Sequence, residues 1–285
     1  ESSWHMKGKI RLSLNDWRGA LEYFDRTLAL APSNTVARVD RASVYLLTGQ
    51  HDIALKDLDI VQKEAPKLPR AGLLRALAFV QMGEHQKAMT LLDDVTSWIG
   101  VLSTEAFNNS PQSLLLMGAI HYSLKRYEDA VPYLLRYNEL VPHTPITQKM
   151  LGVIYMLRGD NRSALELLEP LLPRTPNDIQ LLTALGKIYT REKQYGKATE
   201  LFEKAASIAP ENTAARTELA LNRMATGQLD KARDELEEAV RLGEGRGRAG
   251  AFLGLLHLRR GDTKSAIEIA DRLSAADPKN PFPHN

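Results

Sequence analysis

The chain holds 285 residues, 44% of them hydrophobic, and its 37 Lys and Arg nearly balance 35 Asp and Glu for a formal charge of +2. No segment concentrates Lys and Arg as a nucleic-acid binder does, and no apolar run approaches the roughly 20 residues needed to cross a bilayer. Cysteine is absent, which removes disulfides, zinc knuckles and thiol nucleophiles.

Taken in chain order, the elements are copies of one another. The first unit, 1–34, carries Gly8, Ala20 and Pro32. The second, 35–68, carries Ala42, Ala54 and Pro66 in the same slots, 34 residues on. The third, 69–102, keeps Ala76 and Ala88 but has Gly100 where the proline stood, and eight residues, 103–110 (STEAFNNS), are then inserted. Three regular units follow at 111–144, 145–178 and 179–212, with Gly118, Gly152 and Gly186 in the first slot. Their second slot holds Ala130, Ala164 and Ala198, and their third Pro142, Pro176 and Pro210. The seventh unit, 213–246, has Ala220 and Ala232 with Glu244 in the proline slot. The eighth, 247–280, has Gly254, Ala266 and Pro278, and 281–285 opens a ninth.

Each unit reads as two amphipathic helices of about a dozen residues, apolar at i, i+3, i+4 and i+7. Small residues at positions 8 and 20 let two helix backbones approach, and larger side chains at 4, 7, 11 and 24 fill around that contact. Loop signals such as TGQ, MGE and RGD separate the helices, with Gly49, Gly83, Gly159 and Gly261 as C-caps. Proline at position 32 ends the second helix. A single pair cannot bury its own apolar faces, so neighbours must stack into a solenoid with a concave inner wall.

A search for chemistry finds none. His51 and His85 share repeat position 17 with Trp17, Tyr127 and Tyr195, while His121 and His257 share position 11 with Tyr45, Phe79, Tyr155 and Tyr189. These four stand in aromatic slots and read as structural. There is no HExxH, no paired His at metal-ligand spacing and no Ser/His/Asp pattern in a strand-turn-helix context. The stretch GEGRGRAG, residues 243–250, follows a helix rather than a strand, so it reads as a turn between units and not as a phosphate loop. The expectation is a non-enzymatic chain with no catalytic residues, no metal site and no cofactor.

The repeat letters resemble the tetratricopeptide repeat (TPR) over essentially the whole chain. The sixth unit matches that pattern best, with Leu182, Leu185, Gly186, Tyr189, Ala198, Phe202, Ala205 and Pro210. The first retains Trp4, Gly8, Ala20, Phe24 and Pro32, whereas Gly72, Arg216 and Gly250 at position 4 mark the weakest units. The resemblance implies an all-α fold, a right-handed superhelical TPR solenoid forming one array over 1–285. It also implies that positions 2, 5, 9, 12 and 13 of each first helix line the inner groove. Those positions hold Leu73, Leu77 and Val80 in the third unit, Leu115, Ala119 and Tyr122 in the fourth, and Val153 and Met156 in the fifth. Units seven and eight supply Leu221, Met224, Leu255 and Leu258; His5, Lys9, Lys149, Lys187 and Arg191 flank the wall. A wall this apolar either packs between adjacent first helices or receives an amphipathic helix or extended peptide, with Leu115, Tyr122 and Met156 as central anchors. The Lys/Asn clamp of TPR proteins that grip chaperone tails is missing, since its slots hold Lys149, Val153 and Ala184.

The expected partner is therefore a protein or peptide, with no nucleic acid and no direct membrane insertion. The insertion lengthens the second helix of the third unit, placing Trp98 and Phe107 near an edge, or is a plain loop extension. A chain that opens at Glu1-Ser2-Ser3-Trp4 and closes at NPFPHN reads as a piece of a longer protein whose end helices could self-associate. The strict 34-residue units, contiguous apart from the 103–110 insertion, the LEPLL run at Leu168–Leu172 and the NPFPHN close are similar to TPR lipoproteins of bacterial PEP-CTERM/exosortase and exopolysaccharide systems. That resemblance implies a periplasmic or outer-membrane-anchored parent working in export or sorting. The alternatives are a cytoplasmic co-chaperone-like adaptor and the TPR arm of a larger transferase.

Overall fold

A computed structural model describes residues 2–102, 104–243 and 247–276. Ser103, Glu244, Arg246, Pro278 and the opening of a ninth unit lie outside the described residues. The described elements are helical, and the chain divides into two compact units, 1–147 and 148–285.

In the first unit the helices are α1 (Ser2–Ser13), α2 (Trp17–Leu30), α3 (Thr35–Leu47), α4 (His51–Glu64), α5 (Pro69–Gln81), α6 (His85–Leu102), α7 (Thr104–Asn108), α8 (Pro111–Ser123) and α9 (Tyr127–Leu140). α10 (Pro145–Arg158) opens before the division and continues into the second unit. There it is followed by α11 (Asn161–Leu168), a 3₁₀ turn at Glu169–Leu171, α12 (Ile179–Arg191), α13 (Tyr195–Ile208), α14 (Thr213–Ala225), α15 (Leu229–Leu242), α16 (Arg248–Arg259) and α17 (Thr263–Ala276). Side chains cap many of the starts: Asp16, Asn34, Asp178 and Asn212 accept a hydrogen bond from the amide three residues on.

The small column at position 8 has a direct cause. A Cβ on Gly8 would lie 2.5 Å from the Phe24 ring, on Gly152 2.5 Å from Leu168, and on Gly186 2.6 Å from Phe202. Position 24 of the second helix thus presses on position 8 of the first. Gly254 departs from this: its Cβ would meet only Ile269, at 3.7 Å, because Ala270 occupies position 24. The alanines at position 20 are fully buried from Ala20 to Ala232. Ala198 is small because it sits in a core shared with Leu185, Tyr189 and Leu219. Each Leu or Phe so buried contributes about 1.5–3 kcal/mol.

Two elements depart from the sequence expectation. α6 runs to 18 residues where its counterparts α2, α4 and α9 have 14. With Gly100 in the proline slot nothing stops it. The insertion then forms the short α7 as well, and Phe107 is not at an edge: it is 8% exposed and packs edge-on against Tyr133. Trp98 turns inward too, over Gly72, where a Cβ would fall 2.9 Å from its ring. The tryptophan of the second helix thereby fills the volume that a large residue at position 4 occupies elsewhere. In the fifth repeat α11 has only 8 residues, because Pro170 has no N–H to continue the ladder and the chain tightens into the 3₁₀ turn. The LEPLL run packs locally: Leu168 and Leu171 are buried, and Glu169 accepts a hydrogen bond from the Tyr189 hydroxyl. Burial, reinforced by that carboxylate, pushes the Tyr189 hydroxyl up to about 12.

Candidate protein-binding groove

In the first unit, the exposed side of α3, α5 and α8 forms an apolar groove of about 480 Å³. Its walls are mainly Leu46, Leu47, Leu74, Leu77, Leu115 and Leu116, and Ala119 and Ile146 extend them. Ser43, Gln81, Gln112 and Ser113 supply polar edges, and Arg70 supplies the one charge in its lining. Leu47 is 62% exposed and Ile146 46%, so the groove presents apolar surface directly to solvent.

Of the groove residues expected from sequence, Leu77, Leu115 and Ala119 meet here. Leu73 and Met156 are corrections. Leu73 is fully buried against Leu92, Val95 and Met117, and Met156 is 5% exposed within the core of the second unit. Positions 5 and 12 often turn between adjacent first helices, whereas 2 and 13 open outward; Val39 and Leu46 are buried in the same way. Tyr122 is half-buried edge-on to Tyr127, and Val80 packs against the core, so neither lines the groove. The sequence reading omitted Leu47 and Ile146, although the same columns, 13 and 2, contain them.

The cations expected along the wall are mostly paired. His5 Nε2 lies 2.7 Å from Asp40, which is 3% exposed, and Arg70 reaches the other oxygen of Asp40 at 2.6 Å. One carboxylate at position 6 thus ties three successive first helices. In the second unit Glu218, also at position 6, repeats the device: Lys187 lies 3.1 Å and Arg248 2.5 Å from its Oε1. Lys149 bonds Asp178 at 2.8 Å, and the hydrogen bonds from Lys149 and the Leu181 amide hold that carboxyl below its usual range against the opposing effect of burial. Arg191 donates to the Met156 carbonyl at 2.5 Å. Val153, Leu221 and Met224 are half-buried, while Leu255 and Leu258 are 50% and 53% exposed.

The histidines in position 11 behave as ring fillers. His121 stacks on Tyr133 at 5.7 Å, and burial, with Arg126 adding to it, lowers its pKa to about 4. His257 bonds Asp262 at 3.0 Å. Among the described residues no group of three or more His, Asp or Glu is placed to hold a metal, and no helix is long and apolar enough to cross a membrane.

Residues 5–69, 149–213 and 189–248, together more than half of the chain, match tetratricopeptide-repeat families. The chain is similar to the anaphase-promoting complex subunit CDC16 of Saccharomyces cerevisiae, at 24% identity over 75% of this chain and 25% of that protein. It is similar also to the human mitochondrial import receptor subunit TOM70, at 22% identity over 81% of this chain and 39% of the receptor. It therefore spans well under half the length of either. Among solved structures, a chain of the anaphase-promoting complex hetero-tetramer Cut9-Hcn1 superposes with a TM-score of 0.68 at 14% identity, covering 94% of this chain and 51% of its own. The type IV pilus biogenesis factor PilW superposes at 0.61 with 16% identity, covering 76% and 97%. With the same columns buried in repeat after repeat, this chain belongs to the tetratricopeptide-repeat family, as an all-α TPR solenoid.

Proposed function

We propose that the chain is a non-catalytic scaffold whose first-unit groove takes the apolar side chains of a partner's amphipathic helix or extended segment. The observation that carries this is the groove itself, with Leu47 and Ile146 exposed on a surface that a lone solvated protein gains nothing by leaving apolar. Selection from a displayed random-peptide library tests it. Enriched peptides should share spaced Leu, Ile or Phe residues and should lose about tenfold or more in affinity for Leu47→Glu and Leu115→Glu variants that keep wild-type circular dichroism. Equal binding to wild type and variants would sink the reading.

The setting we propose is the bacterial envelope, in exopolysaccharide export or protein sorting. Strict 34-residue units, contiguous apart from 103–110, and the LEPLL run support it. A second reading, an adaptor within a cytoplasmic multisubunit assembly, draws on the likeness to subunits named for the anaphase-promoting complex. Membrane fractionation of the native protein separates the two: recovery with the envelope supports the first, and a soluble complex the second.

A further inference from the structure

Acidic residues are segregated in the second unit. From Gln148 onward, the first helices of the repeats (α10, α12, α14 and α16) contain one carboxylate between them, Glu218. α15 alone carries Asp230, Asp234, Glu235, Glu237 and Glu238. The groove-side positions of those first helices hold five cations, Lys149, Lys187, Arg191, Arg248 and Arg259, and no acid.

These cations share a face. Lys187 on α12 and Arg248 on α16 converge on Glu218 of the intervening α14, and Lys149 on α10 reaches Asp178 at the start of α12. Two carboxylates therefore serve three cations. Arg191 is exposed and bonds only a carbonyl, and Arg259 is exposed with no carboxylate beside it among the described residues. Cations at helix C-termini complement the helix dipole, which favours Arg191 and Arg259 at their positions without pairing their charge. It does not account for Lys149, Lys187 and Arg248, which lie in the first or middle turns. Beside them Leu255 and Leu258 stand half exposed, and Val153, Leu221 and Met224 are half-buried. The groove-side positions from Gln148 onward include no aromatic residue on which a base could stack.

We infer that this face of the second unit binds an acidic, leucine-bearing protein segment, the carboxylates meeting the surplus guanidinium groups and the leucines meeting Leu255 and Leu258. The inference rests on the scaffold reading and names the chemistry of its partner. Surplus positive charge also speeds encounter with such a segment, and salt should weaken both effects.

The test uses the full chain and two fluorescein-labelled amphipathic peptides, one of leucines and glutamates, the other with glutamine in place of each glutamate. In low salt the glutamate peptide should bind about tenfold tighter, and the gap should close near 0.5 M NaCl, where screening is short-ranged. Arg191→Gln with Arg259→Gln should weaken the glutamate peptide about fivefold and leave the glutamine peptide unchanged. Arg259→Gln alone removes no described contact, so a partial loss from it cannot reflect misfolding. Equal affinities for the two peptides overturn the inference, as does tighter binding of an oligothymidylate that displaces the glutamate peptide. If the two peptides bind alike and Leu47→Glu with Leu115→Glu abolishes the binding of both, the scaffold reading stands while this one falls. Binding of neither peptide removes both.

Discussion

Left-handed backbone recurs at one slot of every repeat: Asn15, Gly49, Gly83, Lys125, Gly159, Lys193, Gly227 and Gly261 all have φ between 58° and 82°. Each follows a first helix and closes it in a Schellman motif, as where the Gln194 amide bonds the Tyr189 carbonyl and the Lys193 amide that of Thr190. A side chain in this conformation is strained, so Lys125→Gly and Lys193→Gly should each raise stability by about 1 kcal/mol, read from urea midpoints. His121 gives a prediction of the opposite kind. Its pKa falls from 6.5 to about 4 in the fold, so the folded chain refuses a proton that the unfolded chain accepts. Its contribution is therefore whole above pH 6.5 and lost as pH drops, by roughly 3 kcal/mol at about pH 4. His121→Phe keeps a ring against Tyr133 and should remove that part of the acid sensitivity, seen by comparing denaturation of variant and wild type at neutral and acidic pH.

Within an element pair, the contact between positions 8 and 24 sets the sign of a substitution. Gly186→Ala drives a Cβ into the Phe202 ring and should cost about 1–3 kcal/mol. Gly254→Ala meets only Ile269, at an ordinary van der Waals distance of 3.7 Å, and should stabilise α16 by up to about 1 kcal/mol through helix propensity. The pairs also carry ionic ties. Arg41 bonds both oxygens of Asp57, at 2.7 Å each, and Asp25 at 2.6 Å. The Asp57 and Asp25 hydrogen bonds hold its guanidinium above the ordinary range in spite of burial. Asp57→Ala leaves Arg41 with Asp25 alone and Arg38 with the Pro32 carbonyl, and should cost about 1–3 kcal/mol by thermal or urea unfolding. Column arithmetic revealed these pairs because Gly and Ala at position 8 leave a spacing that only a facing helix explains. It could not reveal Trp98 over Gly72, or Phe107 against Tyr133, since both depend on how far α6 runs once its proline is missing.

At the scale of the array, each repeat within a compact unit contacts its neighbours in that unit and little else, so a lesion should stay local. Ala198→Leu should cost about 1–3 kcal/mol and raise hydrogen exchange in α12 to α14 while amides of α3 to α5 keep their protection. The groove was partly legible at this scale. The column rule found Leu77 and Leu115, yet it also returned Leu73 and Met156, which the stacking of neighbouring first helices covers. A helical wheel tells which side of one helix is apolar, but not how much of that side the next helix takes.

The amino-acid sequence by itself determined the repeat length, the paired helices, their stops outside α6 and α11, and the turns between them. These are local consequences of small residues, proline and the left-handed cap, repeated until chance is excluded. Tertiary structure alone decided which apolar columns stay open, which cations are consumed by Asp40, Asp178 and Glu218, and how the 103–110 insertion is absorbed. Each of these depends on the distance between helices of neighbouring repeats, and that distance is set by packing volume.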